Sequence, residues 1–356
     1  MKNKKLLYLG FILLTLAVVL YVGIRNGDFS ASIRAMLNIP AKYIVFSVLC
    51  TFGGILMEAL SLLSAMRTMG HSIHFGKAYA VCLLGEFYSY ITPGASGGQP
   101  MQVYQFHKWR IPVGDGTAGL TIHFHCFQLM LLLFDVVFYC VYRDFIHAQI
   151  GPNLPFLFLG FGFNVVLVSL SLMIAFYQRP IRWLAKKVCA LMRRFKIGNP
   201  DKLESSANGM ADGFYSSMRK LVASPAEIVR QALFGAGRLV LIMSVMYFIY
   251  LGLGLSRASY GKILTMGCMQ YTSAAYTPLP GASGAQEGLF SLYFANLLPE
   301  ELLLSGLLAW RFITYYLVLI VGFIVTTLLG LGGKSVDEAE AEVIEEWEEE
   351  TSALRQ

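Results

Sequence analysis

The chain has 356 residues, 56% of them hydrophobic, 13% aromatic and only 14% charged, and its mean hydropathy is +0.58. This composition excludes an ordinary soluble domain and defines a polytopic membrane protein. The net charge of +6 combines a basic middle with an acidic end, which points to contact with a membrane surface and not to nucleic-acid binding.

Taken in order, Met1-Lys-Asn-Lys-Lys5 precedes an apolar run from Leu6 to Val22. The run is long and shows no small-residue cleavage site, so it reads as a retained first span and not as a signal peptide. After a loop with Arg25, Asp28 and Arg34, an apolar helix over about Ala41–Met66 carries Glu58. A polar turn containing His71 and His74 leads to Ala78–Ile91, which is apolar but shorter than the roughly 20 residues a span requires. This piece meets Thr92-Pro-Gly-Ala-Ser-Gly-Gly-Gln-Pro100, and residues 78–116 are predicted to form a re-entrant hairpin. Thr117–Tyr142 and Leu154–Tyr177 are each long enough to cross.

Gln178–Arg230 is the strongly basic loop and, by the positive-inside rule, cytoplasmic. Within it, 179–196 sets Trp183, Leu184, Val188, Leu191 and Phe195 on one side and cations on the other. This is an amphipathic helix expected to lie on anionic lipid. A span follows over about Gln231–Leu255. A second short apolar piece then reaches Tyr276, where Thr277-Pro-Leu-Pro-Gly-Ala-Ser-Gly-Ala-Gln-Glu-Gly288 breaks it. The second predicted re-entrant hairpin covers 263–300. Glu301–Leu331 is the last long apolar stretch, and the acidic tail beyond Lys334 is expected to be a solvated end, either helical or disordered.

Pro93-Gly-Ala-Ser-Gly97 returns letter for letter as Pro280-Gly-Ala-Ser-Gly284, 187 residues later, and Gln99 returns as Gln286. The same offset lays Tyr43–Thr68 on Arg230–Leu255 and Asp115–Asp144 on Leu302–Leu331. Proline and glycine cannot continue a helix, and matched helix breaks at membrane depth are the best sequence pointer to a transporter's binding site. Counting crossings from the basic loop brings the first hairpin in from the cytoplasm and the second from outside. The expected fold is thus an all-α polytopic membrane protein, an inverted-topology repeat with two re-entrant helical hairpins. It divides into an N-terminal span and loop (1–40), a first repeat (41–177), the basic segment (178–229), an inverted second repeat (230–333) and the tail (334–356). In the alternative reading each short piece is a full crossing.

Ionisable groups inside spans cost about 2.5–3.5 kcal/mol each on insertion scales, so each needs a partner or a use. Glu58, Glu86 and Asp135 are candidates for meeting a proton or a cationic group, and some of these carboxyls are expected to be protonated. Glu287 starts a half-helix, where it serves either the helix dipole or a substrate. Arg311 suits phosphate recognition or pairing with Glu287. Arg238, near the end of its span, is expected to snorkel to the interface. His123 and His125 read as packed, hydrogen-bonded histidines, with titration or binding of lipid phosphate as the alternative. Pro93, Gly94, Ser96, Gly97, Gly98, Gln99, Gln102, Pro280, Gly281, Ser283, Gly284 and Gln286 form the candidate substrate-binding set, because unwound backbone and half-helix N-termini expose N–H groups to a phosphodiester. Close helix crossing by small residues is the alternative reading of those glycines. The six cysteines show no metal-ligand spacing, and neither a cofactor motif nor a catalytic constellation is present.

Tyr88-Ser-Tyr-Ile-Thr-Pro-Gly-Ala-Ser-Gly-Gly-Gln-Pro-Met-Gln102, the later Pro-Gly-Ala-Ser-Gly-Ala-Gln-Glu-Gly288 and Trp310-Arg-Phe-Ile-Thr-Tyr315 resemble the transmembrane domain of the lysylphosphatidylglycerol synthase/flippase family. The resemblance runs over roughly Leu6–Leu331. It implies a lipid flippase or scramblase in a bacterial inner membrane, with both termini cytoplasmic and membrane phospholipids as partners. Full-length members add a soluble domain that transfers an amino acid from aminoacyl-tRNA to phosphatidylglycerol and confers resistance to cationic antimicrobial peptides. The short tail after Leu331 is too small for such a domain. The implied alternatives are a phosphatidylglycerol lysyltransferase-family enzyme or subunit, working with a separate lipid-modifying enzyme, and a polyprenyl-linked lipid or small-solute transporter. A homo-oligomer is a further expectation.

Overall fold

The computed structural model describes residues 29–195, 200–274, 277, 279–332 and 334–343. The first span expected at Leu6–Val22 and the tail from 344 onward lie outside the described residues. Among the described residues every regular element is a helix: α1 (Phe29–Leu37), α2 (Ala41–Thr68), α3 (Phe75–Ile91), α4 (Gly98–Lys108), α5 (Val113–Ile150), α6 (Leu154–Phe176), α7 (Gln178–Phe195), α8 (Pro200–Val222), α9 (Pro225–Gly252), α10 (Tyr260–Ala274), α11 (Ala285–Phe294), α12 (Glu300–Arg311), α13 (Leu317–Leu328) and a short α14 over 336–343. Among the described residues four stretches are long and apolar enough to cross a membrane: Ala41–Thr68, Val113–Phe176, Pro225–Gly252 and Glu300–Leu328.

Local chemistry sets the helix boundaries. Pro40, Pro112 and Pro299 hold extended entries to α2, α5 and α12, where their missing N–H groups cost nothing. The Ser224 side chain caps α9 by accepting the Glu227 N–H, and the His74 ring caps α3 through Gly76 N–H. At about 1.5 Å per residue, α3 is about 26 Å long and α10 about 22 Å, both short of a ~30 Å hydrocarbon core. The 28-residue helices α2 and α9 exceed it at about 42 Å.

α2 and α9 form the central pair and run antiparallel. Ser47 meets Val245, Glu58 meets Arg238, and Ser61 meets Gln231. Gly54 lets α2 close on Ile242 and the Arg238 carbonyl, and Gly235 brings α9 within 3.2 Å of the Phe127 backbone of α5 by the position a Cβ would take. Lipid tails are as apolar as leucine, so such close small-residue packing, rather than transfer from water, holds membrane helices together. Val45, Leu49, Leu133, Leu159 and Leu328 stay exposed on the outer faces of the spans, as lipid contact requires.

Several expectations need correction. The hairpins are more compact than 78–116 and 263–300: the helix pairs are 75–108 and 260–294, because Arg110 turns the chain at φ +59 and Pro112 opens α5. The basic segment is not a loop but the helical pair α7 and α8, and α8 packs against α5. The tail is not solvated throughout: Ala339 and Val343 are buried against Leu84, Tyr88 and Tyr104 of the first hairpin. Trp183, Val188 and Leu191 of α7 do present an exposed apolar side.

Candidate functional site

The two breaks fold alike. In each, a proline opens a short 3₁₀ turn, the glycine follows at φ +58 (Gly94, Gly281), and the alanine keeps a left-handed φ (Ala95 +55, Ala282 +49). Ala95 N–H donates to Thr92 O at 3.2 Å, and Ala282 N–H donates to Leu279 O at 2.9 Å. Glycine has no Cβ to oppose such a φ, whereas the two alanines carry strain of about 1–3 kcal/mol, which points to a backbone shaped for a use. The turns lie against one another, so the halves of the repeated motif meet.

Hairpin 1 brings Glu86 on α3 to Glu58 on α2 and Arg238 on α9. Arg238 donates Nη1 to Glu58 and Nη2 to Glu86. Its side chain is only 14% exposed, which corrects the snorkelling expectation. α9 begins at Pro225, so Arg238 sits between three and four turns inside the helix and not at its end. Arg238 Nη1 also lies 3.2 Å from His123 Nε2. A guanidinium offers no acceptor, so Nε2 must be the bare nitrogen and Nδ1 carries the proton that it donates to Ser61 Oγ at 2.8 Å. Ser61 donates in turn to Gln231 Oε1, and Gln231 Nε2 donates to Glu227 Oε1 at 2.7 Å. Glu227 further accepts from Ser64, Thr68 and Arg230. All donors in this chain point from Arg238 toward the start of α9. Arg238 Nε is buried and has no partner among the described residues.

Hairpin 2 brings Glu287 on α11 to Arg311 on α12. Arg311 Nε donates to Glu287 Oε1 at 2.7 Å, and the other carboxylate oxygen accepts Gly284 N–H at 2.6 Å. Both Nη groups stand 3.5 Å from the Gly281 carbonyl, a long contact, while the guanidinium lies over the Trp310 and Tyr315 rings. Arg311 is buried. The expected pairing of Arg311 with Glu287 is therefore present.

The structure gathers the candidate residues unevenly. Pro93, Gly94, Ser96 and Gln99 are exposed at the first turn, and Gly97 and Gly98 are buried beneath it. Gln102 is not presented at the break: it is buried inside the hairpin, donating to Val81 O at 3.2 Å. At the second turn Pro280 and Ser283 are buried, Gly281 and Glu287 half-buried, and Gly284 exposed. Half-buried Gln286 accepts from Gln270 at 3.1 Å beside a small cavity lined also by Tyr271, Met243 and Trp310. Asp135 does not join Glu58 and Glu86. It packs against α10, where Thr272 donates to Oδ2, and its Oδ1 is buried without a partner among the described residues. His123 and His125 are packed and hydrogen-bonded. Ser61, Gln231 and Glu227 were invisible as a group, because their meeting depends on how α2 crosses α9. Among the described residues no cluster of metal-ligating side chains occurs.

Membrane-length helices around two Pro-Gly-broken hairpins, with buried Arg–Glu contacts beside the breaks, define a polytopic helical membrane protein. The sequence pattern of the lysylphosphatidylglycerol synthase TM region matches residues 7–322, and the chain belongs to that family. Membership gives it a membrane-lipid-related role. A comparison with curated proteins found no match.

Proposed function

We propose that this protein moves a phospholipid between leaflets, as a flippase or scramblase for an aminoacyl-phosphatidylglycerol-like or related anionic or zwitterionic headgroup. The observation that carries this reading is the contact of two helix-breaking turns of identical sequence, the second beside the buried Arg311 and the first on the hairpin whose Glu86 meets Arg238. The hairpins enter from opposite faces of the membrane and make a polar path for the headgroup while the acyl chains stay in lipid. Support for the inverted arrangement comes from α2 and α9, two 28-residue helices that lie 184 residues apart and run antiparallel, and from the starts of α4 and α11 (98 and 285) and of α5 and α12 (113 and 300), which keep the 187-residue offset. Arg311 and the turn backbones hold the phosphate, and Glu287 with Glu58, Glu86 or Asp135 meets a cationic group or a proton. The exposed apolar side and cations of α7 rest on anionic lipid, which sets the α7–α8 pair and both termini on the cytoplasmic side.

The test is reconstitution into liposomes carrying fluorescent (NBD-labelled) phosphatidylglycerol, with dithionite quenching to follow movement. Protein-dependent movement that falls in Arg311→Ala with Glu287→Gln supports these roles. Unchanged rates remove them.

A further inference from the structure

Between the two ionic centres lies an aromatic pair, one ring of which, Tyr315, stacks under the Arg311 guanidinium. Tyr90 follows Glu86 by four residues on α3, and Tyr315 follows Arg311 by four on the last span, so each ring lies next to its charged neighbour on one helix face. The rings face each other at 5.0 Å. Tyr90 Oη donates to Thr314 O at 3.2 Å, and Tyr315 Oη donates back to Tyr90 O at 3.4 Å. Tyr315 also fills the space over Gly281, where an added Cβ would meet its ring at 2.4 Å, so it touches the second turn and the first hairpin together. Here the last span leaves α-helical geometry for a π-helical segment, Phe312–Tyr316. Such wide turns are rare and frequently lie at functional sites. Both guanidinium groups keep donors in reserve: Arg238 Nε has no partner among the described residues, and the Arg311 Nη groups make only long contacts.

We propose that Tyr90 and Tyr315 form a gate between two headgroup half-sites, one at Arg238 and one at Arg311, across which the anionic phosphodiester of a phospholipid passes from one guanidinium to the other. The proposal rests on the lipid-moving reading above and divides its path in two. The structure is the closed state, with both hydroxyls spent on backbone carbonyls of the opposing element. The π-helical segment is the hinge: tightening it to α-helix turns Tyr315 by about 100° and withdraws its ring from Tyr90.

The experiment uses the full chain in liposomes and reads two quantities in each variant. One is movement of NBD-phosphatidylglycerol. The other, measured in separate preparations so that movement is read with Ser283 intact, is labelling of Ser283→Cys, a buried position, by a membrane-impermeant maleimide, scored as the mass shift of its own peptide because the chain has native cysteines. A gate predicts that Tyr90→Ala and Tyr315→Ala raise both quantities roughly tenfold, as expected if about 1.4 kcal/mol of barrier is lost. It also predicts that Tyr90→Phe with Tyr315→Phe, which keeps the packing and removes the two hydroxyl contacts, raises both by a smaller factor. A merely structural role lowers movement and melting temperature together. Labelling that responds to none of these variants overturns the gate, as does movement that slows in variants that remain folded. Increased labelling with no lipid movement in any protein retires the lipid-moving reading and keeps the barrier.

Discussion

The two turns share five letters and a glycine φ, yet they are held by different atoms. In the first, Gly97 N–H donates to Thr92 Oγ1 at 2.9 Å, and Thr92 donates to Tyr88 O. The position equivalent to Thr92 is Leu279, which has no hydroxyl, and there Gly284 N–H turns to the Glu287 carboxylate. The position equivalent to Glu287 is Pro100, which could not serve the first turn. This exchange changes the backbone: Gly97 stays at φ −86 while Gly284 moves to +84. It also decides where the charge sits. The first hairpin can spare its carboxylate, Glu86, for an arginine before the break, whereas the second uses one carboxylate for both the turn and Arg311. A repeated motif thus yields two unequal half-sites, one with two carboxylates to a guanidinium and one with a single carboxylate.

The comparison breaks most visibly at the arginines. Arg238→Ala leaves the buried Glu58 and the half-buried Glu86 unpaired, and should cost about 3 kcal/mol, the low end for a fully buried pair. Arg311→Ala should cost less, because Glu287 keeps Gly284 N–H. Melting in detergent should place Arg238→Ala well below Arg311→Ala, and Glu58→Gln with Glu86→Gln should restore most of the difference. Equal losses, or no rescue, would show that the half-sites are not unequal in charge.

The next effect is steric. A Cβ at Gly98 would lie 2.7 Å from the Gly85 carbonyl, so Gly98→Ala should destabilise by about 1–3 kcal/mol. The equivalent residue is already Ala285, and Ala285→Gly should cost only about 0.5–1 kcal/mol of helix propensity. Thr92→Val should remove the first turn's clasp for about 1 kcal/mol, while Leu279→Thr should leave stability nearly unchanged because Glu287 already accepts Gly284 N–H. Urea or thermal unfolding of the four variants orders them.

The smallest effect concerns the tail. The hydrogen bond from Lys334 holds the exposed Glu342 carboxyl below its ordinary value of 4.5, helped by Tyr104, which donates to it at 2.7 Å. A depressed carboxyl contributes above its unfolded value and loses that contribution as pH falls through the folded one. Amide protection factors over 334–343, taken relative to the intrinsic exchange rate at each pH, should therefore hold steady from neutral pH down to about 4.5 and fall below it. Glu342→Gln should flatten this response, with no counterpart in the second hairpin.

The hairpins, their breaks and the shared offset were legible because proline, glycine and apolar length act locally, and the Arg311–Glu287 pairing followed from two charges near one break. Arg238 was misjudged because its partners come from α2 and α3, and only the crossing of α9 over α2 brings positions 58 and 238 together. Asp135 was grouped with Glu58 and Glu86 by charge alone, but it meets Thr272 on α10. The cap exchange between Thr92 and Glu287 was written in the aligned letters. It became meaningful only once the Gly97 and Gly284 amides were seen to need an acceptor.

Gly114, at the start of α5, and Gly213, in the middle of α8, abut backbone to backbone, so closely that a Cβ on Gly114 would come within 2.6 Å of the facing main chain. His71 and Ser217 both grip Asp115 beside this junction. No side chain lies between the two glycines to act as a cushion, so the α7–α8 pair and the entry to α5 tilt as one rigid bracket. If α7 rests on anionic lipid as proposed, a change in that lipid would act as leverage on the span that begins where the first hairpin ends.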